Sequence, residues 1–176
     1  VKYRVARVVI LWVNNYFTDF ETDPQMMEFL EIFESELEKY SMLEELKLLH
    51  VAHTHKARTR TITITRSSRD ESLHFKIIGG YEKGGGIFIF EIDKSSKASE
   101  MGLRRGDQIL EVNGHNFEHV THARAMEILT GTTHLSITVK SNLLVFRELL
   151  HSTSKNSPRL KNKMKIASDL AKLQAT

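Results

Sequence analysis

The sequence contains no cysteine among its 176 residues. Disulfide bonds, zinc sites built on thiolates and cysteine nucleophiles are therefore excluded. A long apolar run is also absent, because the densest one, at residues 8–13, is far shorter than the roughly 20 residues that a membrane-spanning helix needs. The first residues show no secretory signal, and a start without methionine suggests an excised piece. What remains, 40% hydrophobic and 27% charged residues, is typical of a globular protein.

The two ends of the chain carry charge of opposite sign, although the formal net charge is only +3. Residues 1–50 are acidic, whereas the segment after Pro158 is basic and carries Arg159, Lys161, Lys163, Lys165 and Lys172. Opposite ends can therefore have different partners. Nucleic-acid binding usually requires a basic face with aromatic or groove-reading elements, so we predict no nucleic-acid partner.

Three helices are predicted in residues 1–50. The first has apolar residues at spacings of three and four, namely Val5, Val8, Val9, Trp12, Val13 and Tyr16. Residues 18–22 break this period, and Asp23-Pro24 then reads as an N-cap followed by the first helical residue of a second helix. Ser41 and Glu44 fit a capping box, which predicts a third helix ending near His50. Helices this few and short cannot bury all their apolar faces, so we expect them to pack on something else.

A change to period two at Thr59 marks a second domain, which places a linker at residues 51–58. Further strands are predicted at residues 72–80, 87–92, 106–112 and 135–139, with short helices at residues 95–102 and after Thr121. The dipeptide Asn113-Gly114 predicts a tight turn, since both residues tolerate positive φ. Residues 143–150 favour a helix that packs back, followed by a polar linker at residues 152–158 and a basic amphipathic helix.

The pairs Gly102-Leu103, Gly106-Asp107 and Asn113-Gly114 stand in one register after the strand at residues 87–92, and together they strongly resemble a PDZ domain over residues 59–141. The resemblance implies an α+β chain in which a helical segment precedes a five- to six-stranded antiparallel, partly open barrel or sandwich with two helices. It also implies binding of peptide C-termini by strand addition, in which backbone bonds supply affinity and pockets supply specificity.

The same resemblance assigns a peptide-binding site. It places the backbone N–H groups of Leu73, His74 and Phe75 on the terminal carboxylate, with Arg66, or alternatively Arg69, helping through water. His122 would accept a hydrogen bond from a serine or threonine two residues before the peptide's end, which implies a class I ligand, Ser/Thr-x-hydrophobic. The full set is Arg66, Leu73, His74, Phe75, Lys76, Ile77, His122, Met126 and Leu129. Ser72 and His74 stand where this family usually has glycines.

Residues 8–20 with Asp23-Pro24 resemble the later part of a Ras exchanger motif, and a PDZ domain directly after it is similar to the PDZ-GEF family of Rap exchange factors. The implied organisation is an exchanger-motif part at residues 1–50, the linker at 51–58, the PDZ domain at 59–141 and a helical, basic extension at 142–176. The implied partners are C-termini of membrane or junctional proteins, and a Rap/Ras-family GTPase through a catalytic domain that is not recognisable before Thr176. The family implies a cytoplasmic regulatory scaffold, recruited to the plasma membrane or cell junctions, with no catalytic residue, cofactor or metal of its own.

Several other interpretations stay open at this point. Apolar residues in strand and helix periods are usually core, so the pocket residues could be core alone. Gly84-Gly85-Gly86 lacks the Gly-Lys-Ser/Thr ending of a phosphate-binding loop, and a hairpin turn explains it. Two histidine groups have spacings that could gather a metal: His50, His53 and His55, and His115, His119 and His122. A stand-alone PDZ adaptor, or peripheral membrane contact through the basic tail, is the alternative function.

Overall fold

The computed structural model describes residues 1–155 and begins with four helices. These are α1 (Lys2–Asn15), α2 (Phe17–Thr22), α3 (Pro24–Lys39) and α4 (Leu43–Lys56). Their shared core consists of Ala6, Val9, Val13, Phe17, Phe20, Leu30, Leu37, Met42, Leu46, Leu49 and Ala57. The predicted apolar stripe of α1 is therefore partly wrong, since Val5, Val8, Trp12 and Tyr16 are exposed, whereas Ala6 is buried with Val9 and Val13. α1 ends at Asn15, and residues 18–22, predicted to break the period, form most of the separate short helix α2.

The ends of these helices test the predicted caps. The Asp23 carboxylate accepts a hydrogen bond from the Gln25 N–H at 2.8 Å, which confirms the N-cap of α3. The capping box at Ser41 is wrong: Ser41 has φ +55 and the Met42 N–H donates to the Leu37 carbonyl. Ser41 thus closes α3 in the left-handed conformation common after helix ends, and α4 has no side-chain cap.

Helix α4 continues six residues past its predicted end, to Lys56 rather than His50. His50 and His53 lie on its buried face beside Leu49, so packing against the helical core sustains the helix through most of the predicted linker. The next strand still begins at Thr59, where the period changes in the sequence.

The β-rich domain contains β1 (Thr59–Thr65), β2 (Phe75–Gly79), β3 (Ile87–Ile92), β4 (Asp107–Val112), β5 (His115–Asn116) and β6 (His134–Ser141). All pairs are antiparallel, and the order is β1-β6-β4-β3-β2, with β5 beside β4. A 3₁₀ turn (Tyr81–Lys83), α5 (Lys97–Glu100) and α6 (His122–Thr130) complete the domain. Thr121 caps α6 by accepting from the Arg124 N–H. The core lies between the sheet and these helices and includes Ile62, Phe75, Ile89, Ile109, Phe117, Leu129 and Ile137.

The last described helix, α7 (Leu143–Lys155), packs on the opposite face of the sheet. Phe146 and Leu149 lie against Phe88 of β3 in a separate small core. The helix predicted at residues 143–150 is therefore present and extends into the predicted polar linker. The basic helix predicted beyond residue 158 lies outside the described residues.

α7 also joins the two domains, because Arg147 donates to Glu34 at 2.9 Å and to Glu38 at 2.8 Å on α3. The helices of the first fifty residues thus do pack on a further element, as expected. Within residues 1–155, no helix is both long and apolar enough to cross a bilayer.

Candidate peptide-binding groove

β2 forms one edge of the sheet and runs beside α6. It pairs with β3 along one side, and within residues 1–155 no strand pairs with its other side. Phe75 and Ile77 of β2 contact the same core as Ala125 and Leu129 of α6. An unpaired edge of this kind offers free backbone donors and acceptors to an added strand.

Two sets of hydrogen bonds hold α6 alongside β2. At the start of α6, the Tyr81 N–H donates to the Val120 carbonyl at 2.9 Å, and His122 contacts the Gly79 carbonyl at 2.9 Å. At its end, Arg66 donates both to carbonyls of α6 and to carbonyls of the loop before β2. The groove between strand and helix is therefore fixed at both ends.

The loop that precedes β2 keeps a glycine-like backbone without glycine. His74 has φ +59, a left-handed conformation that costs a non-glycine residue about 1 kcal/mol. Two contacts with Asp93 offset this cost: the Asp93 N–H donates to the His74 carbonyl at 2.9 Å, and the His74 Nδ1 lies 3.0 Å from the Asp93 carboxylate. The His74 N–H, predicted to face a peptide carboxylate, donates to the Ser72 Oγ at 3.1 Å.

The predicted pocket residues differ in exposure. Leu129 is fully buried and Phe75 nearly so, which makes them the floor of the groove. Leu73, Ile77 and Met126 are half-buried, so part of each side chain is accessible to a peptide. Lys76 is not part of this apolar surface: its ammonium pairs with Glu91 of β3 at 2.7 Å.

His122 is oriented by its contact with the Gly79 carbonyl. A carbonyl oxygen can only accept, so Nδ1 is the protonated nitrogen in the neutral ring and Nε2 carries the lone pair. That lone pair is what an imidazole needs in order to accept a hydrogen bond from a hydroxyl group.

Arg66 is 4% exposed, and its terminal nitrogens donate to five backbone carbonyls. Two belong to the loop before β2, at Arg69 and Glu71, and three to the end of α6 and the turn after it, at Leu129, Thr130 and Thr132. Arg66 thus connects the loop before β2 with the end of α6. Arg69, the alternative candidate for holding the peptide carboxylate, is exposed.

The sequence reasoning missed Glu82 and its contact with the start of α6, which lies close to Gly80 at the end of β2. The Glu82 carboxylate accepts from the His122 N–H, and hydrogen bonds from the Glu82 and His122 backbone lower the pKa of this carboxyl. A Cβ on Gly80 would lie 2.7 Å from the His122 nitrogen, so glycine permits this close approach. No periodicity connects residues 80 and 82 with residue 122, which left no sequence signal for the contact.

The two histidine groups do not come together as metal sites. His50 lies 3.3 Å from Glu34 and His53 packs edge-on against Phe17, whereas His119 packs against Tyr81. Within residues 1–155, no three His, Asp or Glu side chains form a group that could hold a metal ion. A cleft of about 750 Å³ between α3 and the β3–α5 region shares no lining residue with the groove.

Comparison with known protein families assigns residues 61–140 to the PDZ domain family. The human protein named Rap guanine nucleotide exchange factor 6 is 49% identical over 93% of this chain, and a Caenorhabditis elegans Rap guanine nucleotide exchange factor is 36% identical over 89%. Both similarities cover the helical domain as well as the PDZ domain. The chain belongs to the PDZ-GEF family.

Other relatives match less than half of this PDZ-GEF chain. Human PDZ domain-containing protein 7 is 40% identical, but only over 46% of the chain. The chain itself spans about a tenth of the length of the two exchange factors that it matches, 10% in each case. The strand order and the antiparallel sheet with its helices confirm the predicted PDZ fold.

Proposed function

We propose that this chain is the regulatory and scaffolding portion of an exchange factor for Rap/Ras-family GTPases, and that its PDZ domain binds class I C-termini, Ser/Thr-x-hydrophobic. The observation that supports this best is the free edge of β2 facing His122, whose Nε2 is left to accept a hydrogen bond. A peptide added to β2 completes the sheet, and its residue at position −2 meets this nitrogen.

The apolar residues account for the rest of the motif. Leu73, Ile77 and Met126 keep accessible apolar surface above the buried Leu129, which suits a hydrophobic last side chain. The carboxylate is received by backbone N–H groups of residues 73–75, with the His74 N–H released from Ser72 on binding. Hydrogen bonds to a charged acceptor are stronger than the neutral one that they replace.

Two peptides that differ only at position −2, threonine or valine, test the class of ligand. We expect the intact chain to prefer threonine about fivefold to tenfold in calorimetric titration, since one net hydrogen bond contributes about 1 to 1.4 kcal/mol. His122→Ala should remove this preference. His119→Ala, a change at an exposed histidine that packs on Tyr81, is the matched control and should keep it. Equal binding of both peptides by the unmodified chain would refute the class I assignment.

The exchange reaction is assigned to the rest of the parent protein. We propose that residues 1–50 belong to the Ras exchanger motif that braces a catalytic domain, and that the PDZ domain chooses where exchange takes place. Recruitment from the cytoplasm to C-termini of membrane or junctional proteins follows from this division. The chain alone should not accelerate release of a fluorescent GDP analogue from Rap, and a concentration-dependent acceleration would contradict the proposal.

A further inference from the structure

We propose that α7 extends the peptide groove, so that the side chain at position −3 of a bound peptide contacts Ile78 and Leu150. The preferred side chain at that position is apolar. This inference rests on the proposed addition of a peptide strand to β2, because only such a strand would lie beneath the end of α7.

α7 crosses the outer face of the sheet toward its free edge. Leu143 contacts Gly106, directly before β4, and Phe146 contacts Phe88 on β3. Leu149 reaches β2, where its Cδ2 is 3.1 Å from the position that a Cβ on Gly79 would occupy. Six residues of helix span about 9 Å, and two strand spacings span about 9.6 Å. The helix therefore crosses one strand about every three residues.

At this rate α7 continues beyond β2. Six more residues separate Leu149 from the end of the helix at Lys155, a further distance of about 9 Å. Exposure changes accordingly along the sheet-facing side: Phe146 and Leu149 are buried, Leu150 is half-buried, and Thr153, two turns after Phe146, is exposed. The end of α7 thus projects over the place where an added strand would lie.

The strand register decides which peptide residue meets this projection. A peptide antiparallel to β2, with its carboxylate at the loop before Phe75, has its last residue beside Phe75, position −2 beside Ile77 and position −3 beside Ile78. Directly opposed residues share a face of the sheet. Ile77 belongs to the core on the α6 side, and Ile78 packs with the Phe88, Phe146 and Leu149 cluster under α7.

The chemistry on the outer face differs between positions −3 and −1. Beside position −3, the accessible parts of Ile78 and Leu150 are apolar. Beside position −1 lies Lys76 with its partner Glu91, a charged and exposed pair. An apolar side chain at −3 therefore buries surface against α7, whereas one at −1 does not.

Peptides with leucine or serine at position −3 and a common class I ending test this in the 176-residue chain. We expect leucine to bind about fivefold more tightly, and Leu150→Ser to remove that difference while keeping the preference for threonine at −2. Leu48→Ser, a matched change at an exposed leucine on α4, should alter neither preference. If the chain prefers threonine at −2 but ignores position −3, the inference about α7 fails and the proposed function stands. If no class I peptide binds, both fail.

A second measurement does not depend on the stability of Leu150→Ser. Because the chain has no cysteine, Leu150→Cys provides a single thiol. A peptide whose cysteine carries a thionitrobenzoate disulfide can exchange with that thiol, forming a protein–peptide disulfide and releasing coloured thionitrobenzoate. We expect capture at least tenfold faster with the reactive cysteine at −3 than at −1, which lies beside Lys76, and both peptides keep threonine at −2. Equal rates would overturn the inference.

Discussion

Replacing Arg66 by methionine should weaken both the fold and the groove. Methionine keeps the apolar stem of the side chain but removes the five hydrogen bonds that the guanidinium donates to carbonyls on both sides of the groove. The two terminal nitrogens carry four N–H groups, so at a typical net value of about 1 kcal/mol for each N–H the loss would be about 4 kcal/mol. The hydrogen bond to the Leu129 carbonyl is buried, whereas the other four are partly buried. We therefore expect a loss of about 2 to 4 kcal/mol in the free energy of unfolding.

Urea denaturation of the 176-residue chain measures this loss, with Arg69→Met as the control because Arg69 is exposed. Arg66→Lys should fall between the two, since one ammonium group cannot reach five carbonyls. Where Arg66→Met still folds, its affinity for a class I peptide should be lower, because the loop before β2 is no longer attached to α6. A destabilisation of less than about 1 kcal/mol would refute this account of Arg66.

Three further predictions concern other residues. Burial lowers the pKa of His53 to about 4, so between pH 6.5 and 4 the unfolded chain binds a proton at this residue and the folded chain does not. The free energy of unfolding should therefore fall by up to about 3 kcal/mol as pH drops from 6.5 toward 4. His53→Phe should flatten this part of the stability–pH curve. Gly79→Ala should cost more than about 2 kcal/mol in thermal or urea unfolding, because φ is +99 and the new Cβ would meet the Gly86 carbonyl oxygen. The control Gly85→Ala, which has open space around its new Cβ, should change stability by less than about 0.5 kcal/mol. His74→Gly should be more stable than His74→Ala by about 1 kcal/mol, since only alanine retains the strain of φ +59.

Features set by neighbouring residues in the chain could be predicted from the sequence. Asn113 and Gly114 have φ of +48 and +82, as their tight turn requires, and Thr121 caps α6 through the Arg124 N–H. The period-two pattern of residues 59–65 became a strand with those bounds. Each of these depends on residues within a few positions of one another, where residue type and spacing are informative.

Features set by distant residues could not be predicted in the same way. Glu34 of α3 is buried and accepts a hydrogen bond from Arg147, 113 positions later in the chain, and no local pattern indicates that contact. Ser41 fits the residue pattern of a capping box for α4, but its N–H donates to the Glu38 carbonyl at the end of α3, and α4 has no side-chain cap. The site residues themselves stay predictions until a peptide is measured, although the structure brings β2, α6 and the loop before β2 together around one groove.

The most direct test of the central claim compares one class I peptide with a free C-terminal carboxylate and the same peptide amidated. If the backbone N–H groups of residues 73–75 receive the terminal carboxylate, amidation should weaken binding to the 176-residue chain by at least about 30-fold, since two charge-assisted hydrogen bonds contribute at least about 2 kcal/mol together. Equal affinity for the two peptides would contradict the assignment of the groove.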